Sequence, residues 1–592
     1  MMQKNRTEIP LQYTWDFTPI YESDEAWEVA LNATDASIES ISALSETLVS
    51  SVVSMREGLD LLFDVAENVQ KVFLYAMLNK NLDNGNAKYQ TMYGKAMNLQ
   101  IRFSTASAFL EPLILSVERE KLAQMQADPL LAPYRHMLEN IDRMRAHTKD
   151  AKTEEMLAML ADAAETPSDC FDMLESVDMT FPNVTDECGN SVALTHGNFG
   201  VFRESTDARV RREVFETYFG EFKKYINTFA ALYAGNVKMD NFFAQVRNYG
   251  SACEQALFAN NAPITVYDRL IDAIHQGLPI MRRYLELRRR VLGLEELNMH
   301  DLYCPIVKGV EVKIPYEEAK KIVREACKPL GDAYQRLLDR AFNERWIDVY
   351  ETKGKTTGAY SCGVYGAHPY VLLNYTDTLD DVFTLAHELG HAMHSYLSNE
   401  KQDFANHSYR IMVAEVASTV NEVLLTRHLL KTLTDPTQRA YILNHFLESF
   451  RTTVFRQTLF AEFERKAHDL QMNGTPLTAE LLTKTFGDLN ALYYEGVVQN
   501  ELQSIEWARI PHFYNAFYVY QYATGFSSAV TIAKNILENN GAAKYLEFLS
   551  TGGSDYPLEE LKIAGVDLTK PDAVAAAMAE FDSALSEMEQ LL

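Results

Sequence analysis

The segment His387-Glu388-Leu389-Gly390-His391 has residue types and a spacing that could do chemistry. On an α-helix, residues four apart leave the same face one turn apart. Both imidazoles can then give a nitrogen to one Zn²⁺, with Glu388 beside them as general base for a water molecule. A catalytic zinc takes three protein ligands and keeps a fourth position open. The next helical stretch, about His407 to Leu430, offers two carboxylates, Glu415 and Glu422. They lie seven residues apart, two helical turns, and so share a face. One would ligate and the other would hydrogen-bond a ligand histidine. Asn421-Glu422 has the form of the Asn-Glu pair that supplies the third ligand in some other zincins, so the spacing leaves both assignments open.

The motif needs a helix, and its flanks predict one. Thr378-Leu379-Asp380-Asp381 supplies a capping hydroxyl, an acidic residue three positions later and negative charge in the first turn. Val382, Leu385, Leu389, Ala392, Met393 and Tyr396 recur near 3.6-residue spacing and give the helix a face to bury. Gly390 costs about 1 kcal/mol of helix propensity relative to Ala and opens room for another backbone. Before this helix, Trp346 to Tyr350, Gly358 to Tyr360 and Tyr370 to Asn374 have strand chemistry, which predicts a small sheet.

Elsewhere the pattern is helical. Residues 24–119 read as an antiparallel bundle, and helical periodicity resumes from Pro129 to Leu174, from Asp207 to Leu292 and from Tyr316 to Asn343. Met179-Thr180-Phe181 and Val192-Ala193-Leu194 flank a turn-rich stretch and predict a hairpin. A second β-like stretch is expected from Leu302 to Ile314. The expected fold class is therefore mainly α, with an N-terminal helical region over 1–195 that ends in the hairpin and a catalytic region over 196–592.

Composition excludes several functions. Hydrophobic residues at 47% and charged residues at 23% suit a folded globular protein, and 592 residues exceed a single core. A net charge of −27 disfavours nucleic acid and anionic membrane surfaces as partners. No run of 18 apolar residues predicts a membrane span. Six scattered cysteines without a C-x-x-C pair, and a polar stretch from Met1 to Leu11, predict a cytoplasmic protein with reduced thiols. No feature of the sequence fixes an oligomeric state.

Longer segments carry a family resemblance. Gly358-Ala359-Tyr360, Pro369 to Asn374, Thr384 to His394, Ala414-Glu415-Val416-Ala417-Ser418 and Pro511 to Tyr520 resemble the oligoendopeptidase F branch of the thimet-oligopeptidase family of zinc peptidases. Trp15-Asp16 and Trp346-Ile347-Asp348 match as well, so the landmarks run from residue 15 to about 525. The resemblance implies an elongated, mostly helical zincin split by a deep channel with one Zn²⁺ at its base. The N-terminal region would form a channel wall or lid. The glutamate ligand falls at Glu415, which leaves Glu422 as the partner of a ligand histidine. The implied substrates are short, unstructured peptides cut at internal bonds.

The mechanism also needs a donor for the charge that builds on the carbonyl oxygen. In the thimet branch, tyrosines two to three residues apart and an upstream histidine fill that role. The matching residues are His512 and Tyr520, with Tyr518 beside them, while Phe517 stands where some relatives have the first tyrosine. His394, three residues past His391, is expected to bind substrate or buttress the site. The strand through Leu373 and Asn374 is expected to pair with the peptide backbone. Cys362 reads as a buried, inert thiol.

Two other readings compete. A helical zincin carboxypeptidase or dipeptidase would need a cation for the substrate's terminal carboxylate, and no residue is marked for it. A peptide-binding protein with a structural zinc would close the fourth position with Cys or His. No cysteine lies near the motif helix, and Glu388 is intact.

Overall fold

The computed structural model describes residues 4–307 and 313–592. Helices dominate, and the strands are short and form one three-stranded and two two-stranded sheets among the described residues. The chain folds into two compact units, each assembled from three separate stretches. Unit one comprises Met1–Ala146, Glu311–His428 and Ile532–Val566; unit two comprises His147–Val310, Leu429–Thr531 and Asp567–Leu592. This division differs from one at residue 195, which falls inside unit two. The hairpin there is fastened to the following helix: Glu213 accepts the Thr185 N–H at 2.9 Å, and Arg209 donates to the Thr185 carbonyl at 3.1 Å.

Unit one begins with the expected bundle, Asp24–Ala43, Val52–Leu82 and Ala87–Ser107. Trp27, Leu62, Val69, Val72, Tyr75 and Leu99 form its core. The far end of the Val52–Leu82 helix packs onto the three-stranded sheet through Leu74, Leu78 and Leu82, which meet Tyr370 and Leu372. Trp15 locks this seam, its indole N–H donating to the Val371 carbonyl at 2.9 Å.

That sheet has the order Ile347–Asp348, Tyr370–Leu372, Tyr360–Cys362, with the first pair parallel and the second antiparallel. Lys355 is buried beneath it, 2.8 Å from Asp348, and also donates to the carbonyls of Tyr350 and Leu373. The Tyr360–Cys362 strand lies along the Leu379–Lys401 helix. Gly363 permits the approach, since a Cβ there would sit 2.7 Å from the Ser395 Cβ.

Unit two is built around the helices Ala208–Lys224, Ile226–Val246, Ile264–Val291 and Arg456–Met472. Its hairpin strands are Asn183–Thr185 and Ser191–Ala193, so the first runs closer to the turn than expected. Asp186 accepts the N–H groups of Cys188 and Asn190 and closes the turn directly after Thr185. The expected helix from Tyr316 to Asn343 is two helices, Tyr316–Ala326 and Gly331–Asn343, because Pro329 and Gly331 at φ +85° break the chain. Part of the β-like stretch from Leu302 to Ile314 lies outside the described residues. Among the described residues no helix is long and apolar enough to cross a membrane.

Candidate active site

The motif helix is Leu379–Lys401, and it starts as its sequence requires. The Thr378 hydroxyl accepts the Asp381 N–H while the Asp381 carboxylate accepts the Thr378 N–H. Val382, Leu385, Leu389, Ala392 and Met393 are buried, and Tyr396 accepts from Arg340 and stacks on Trp346. The second helix is Ile411–Thr432.

Gly390 and Asn421 set how closely these two helices meet. A Cβ on Gly390 would stand 2.5 Å from the Ala417 carbonyl oxygen and 2.6 Å from the Ser418 Cα. Asn421, fully buried, donates to the Ala386 carbonyl at 2.9 Å and accepts from the Tyr334 hydroxyl at 2.9 Å.

This contact brings His387, His391 and Glu415 to one point. The two Nε2 atoms are 3.2 Å apart, and Glu415 Oε2 lies 3.5 Å from His387 Nε2 and 3.4 Å from His391 Nε2. Three ligands about 2.0–2.1 Å from a tetrahedral zinc stand roughly 3.4 Å from one another. The triangle therefore fits a zinc, and two nitrogens with one carboxylate oxygen are a donor set zinc accepts. Glu422 hydrogen-bonds Nδ1 of His387, which directs the other ring nitrogen into the triangle. Ser418 donates to Glu415 Oε2 at 2.8 Å and fixes the carboxylate.

The electrostatics match this division of labour. Burial pulls the His387 imidazole down, but the Glu422 carboxylate outweighs it and lifts the ring to about 9. Burial raises Glu415, yet His391 and His387 overcome it and hold the carboxyl down to about 2. Glu388 is 6% exposed, its Oε2 has no hydrogen-bond partner among the described residues, and burial raises its carboxyl above the usual range. A desolvated carboxylate without a fixed donor is suited to accept a proton.

Three expectations need correction. His394 has no exposed surface to offer a substrate: it is fully buried, its ring 3.6 Å from that of Tyr409 and nearly parallel, with Phe548 beyond. It buttresses the helix, and burial holds it neutral, down to about 3. Leu373 and Asn374 do not offer a free strand, because Tyr370–Leu372 is the central strand and both its edges are taken. Leu373 donates its N–H to Asp348, its carbonyl accepts from Lys355, and the Asn374 amide donates to the carbonyls of Thr356 and Gly358. Leu373 and Asn374 instead line a pocket of about 340 Å³ with Gly358, Asp381 and Thr384. The edge strands are Ile347–Asp348 and Tyr360–Cys362, and of these Tyr360–Cys362 lies along the motif helix. Burial lifts the Cys362 thiol to about 12, as suits an inert side chain.

The third correction concerns unit two. Tyr520 opens the Tyr520–Glu538 helix with its ring turned inward, 1% exposed and 5.3 Å from the ring of Tyr267. His512 is exposed, and Tyr518 is half-buried and stacks beside it at 6.1 Å. Tyr522, 5.4 Å from Tyr518, places its hydroxyl 3.4 Å from His512 Nε2. His512 is thus exposed, with the half-buried Tyr518 and Tyr522 beside it. Phe517 is buried with φ +58°, and its N–H donates to the buried Glu464 at 2.8 Å. At this left-handed residue a buried side chain, Phe517, is followed by a half-buried one, Tyr518.

The chain is similar to known proteins along its whole length. Residues 201–580 match Peptidase family M3, and residues 114–181 match Oligopeptidase F. Oligopeptidase PepF of Bacillus subtilis is 43% identical, with 99% of this chain and 88% of that protein covered. The plasmid oligoendopeptidase F of Lactococcus lactis subsp. cremoris is 40% identical over 100% of this chain and 99% of its own. The crystal structure of oligoendopeptidase-F from Enterococcus faecium superposes with a TM-score of 0.74 at 36% identity, covering 96% of this chain and 99% of that one. A structure from Chlamydophila abortus reaches a TM-score of 0.94 at 35% identity over all of both chains. The chain belongs to peptidase family M3, within its oligoendopeptidase F branch, and is a metalloendopeptidase.

Proposed function

We propose that the protein is a zinc-dependent endopeptidase that hydrolyses internal bonds of short, unstructured peptides. The observation that carries this reading is the 3.2–3.5 Å triangle of His387 Nε2, His391 Nε2 and Glu415 Oε2. These three residues would hold the zinc. When bound, zinc supplies Lewis acidity toward the scissile carbonyl and lowers the pKa of water.

The chain's own residues do the rest. Glu422 keeps the His387 tautomer and ring orientation fixed. Glu388 accepts the proton of the attacking water on a carboxylate oxygen and returns it to the leaving nitrogen. The family resemblance gives the role of oxyanion donor to His512 and Tyr520; because Tyr520 is buried and its neighbour Tyr518 is only half-buried, we assign it to His512 and Tyr518. The Tyr360–Cys362 edge offers backbone groups to an extended peptide beside the motif helix. Recognition through main chain favours broad sequence tolerance, and the relatives' names, oligopeptidase and oligoendopeptidase, suit short substrates. Six free cysteines suit action in the cytoplasm.

The test is an internally quenched peptide blocked at both ends, digested with and without chelator. Cleavage that chelator stops and zinc restores is the expected result. Cleavage that survives metal removal, or that requires a free C-terminus, would overturn the reading.

A further inference from the structure

Unit two holds a cluster of guanidinium groups that hydrolysis does not use. Arg203 ends the His196–Arg203 helix, and Arg509 ends the Glu506–Arg509 turn. Arg451 sits in a π-helical stretch, Phe450–Phe455, and Arg456 opens the helix that follows. Short π-helical turns recur at functional sites, and their wider winding brings residues five apart toward one face. The guanidinium carbons of Arg203 and Arg451 stand 3.7 and 4.4 Å from the ring centroid of Tyr303.

The charges in this cluster do not balance. Glu448 accepts from Arg451 at 2.6 Å and from Arg288 at 2.9 Å, while Glu506 accepts from Arg456 at 2.5 Å and from Arg509 at 3.4 Å. Among the described residues, four guanidinium groups therefore share two carboxylates, and Arg203 adds a fifth positive charge beside them. The side chains of Arg451 and Arg288 are 0% and 1% exposed. Among the described residues, Nη1 of Arg451 and Nε of Arg203, Arg288 and Arg509 are buried without a hydrogen-bond partner. A buried donor on a charged group is costly when it is left without an acceptor. The same field acts on Tyr303: burial raises its hydroxyl, but Arg456, Arg203 and Arg451 prevail and bring it down to about 7.

We propose that Arg203, Arg451 and Arg456, beside Tyr303, form a binding site for a small inorganic anion of the halide class. The unpartnered N–H groups are sealed from solvent, so their ligand must be small and carry no attached chain. A spherical anion accepts N–H groups from several directions and sheds its hydration more readily than phosphate does.

The test uses the full-length, zinc-loaded enzyme in sodium isethionate at constant ionic strength, with chloride, bromide or acetate added in exchange. Chloride and bromide should raise Tm by about 3 °C, growing with the logarithm of their concentration above Kd, and acetate should not. A crystal soaked in sodium bromide should show an anomalous peak within hydrogen-bond reach of Arg451 Nη1. Arg203→Gln should abolish the halide response; it is preferred because Arg451 is fully buried and its replacement endangers the fold. Equal responses to all salts would overturn the proposal, as would an undiminished chloride response in Arg203→Gln. A response to acetate alone would make the site one for carboxylates and overturn the halide assignment. Phenolate absorbance at pH 8 that disappears in Tyr303→Phe, with no bromide peak, would show that Tyr303 is itself the counter-charge and overturn the proposal.

Discussion

The helix pair Leu379–Lys401 and Ile411–Thr432 and the segment 511–522 both carry His, Glu or Tyr residues fit for peptide hydrolysis, but they position them by different means. In the helix pair, regular 3.6-residue geometry presents His387 and His391 together, and one glycine and one asparagine set the distance to Glu415 and Glu422. In the segment, the chain passes through a left-handed residue, Phe517, after which Tyr518 is half-buried and Tyr520 buried. A site built on regular helices can be inferred from spacing. One built on an irregular turn depends on a dihedral angle that the tertiary structure imposes.

Separating the two neighbouring tyrosines tests the second region most sharply. Tyr518→Phe should lower kcat by about 10²–10³-fold, as expected for an oxyanion donor, while Tyr520→Phe should leave kcat near that of the parent enzyme. Steady-state kinetics on a quenched peptide will read the difference, and the reverse pattern would restore Tyr520 to the site. For the helix pair, Gly390→Ala forces a Cβ against the Ala417 backbone. It should destabilise the protein by about 3 kcal/mol in urea titration and weaken zinc retention. Stability equal to the parent's would mean that the close approach is not needed.

A smaller effect is expected from Glu422→Ala, about 10–100-fold in zinc affinity measured by competition with a chromogenic chelator. Complete loss of zinc would instead make Glu422 a ligand.

The mildest test returns to Phe517. Burial holds the Glu464 carboxyl well above the usual carboxylate range, which favours its neutral form in the fold. A raised folded pKa favours the folded state below the unfolded value, about 4.3, and that contribution is lost as pH rises. Glu464→Gln keeps an acceptor for the Phe517 N–H, so its Tm relative to the parent should increase between pH 5 and pH 8. Parallel pH profiles would contradict a buried neutral acid at this position.

Much of unit one was legible because its signals are local. The Thr378–Asp381 cap, the buried stripe through Leu385 and Leu389, and the pairing of two imidazoles with a glutamate all follow from short-range patterns. The role of Gly390 was visible as space for a backbone, although the backbone that fills it belongs to Ala417 and Ser418. Strand order was not legible: Tyr370–Leu372 has the strongest strand chemistry because it is central and buried on both sides, the very property that removes it from peptide pairing. The weaker Tyr360–Cys362 strand keeps an edge. His394 looked functional by its spacing, and only the rings of Tyr409 and Phe548 reveal it as core. The arginine cluster gave no sequence signal, since Arg203, Tyr303, Arg451 and Arg509 meet only through the tertiary fold.

The central claim is that His387, His391 and Glu415 hold the zinc while Glu388 moves the proton. Glu388→Gln tests it directly, with zinc content and cleavage of a doubly blocked peptide measured on the same sample. The account predicts one zinc per chain, as in the parent enzyme, with kcat lowered by about 10²–10⁴-fold. Cleavage at the parent's rate with zinc retained would contradict it.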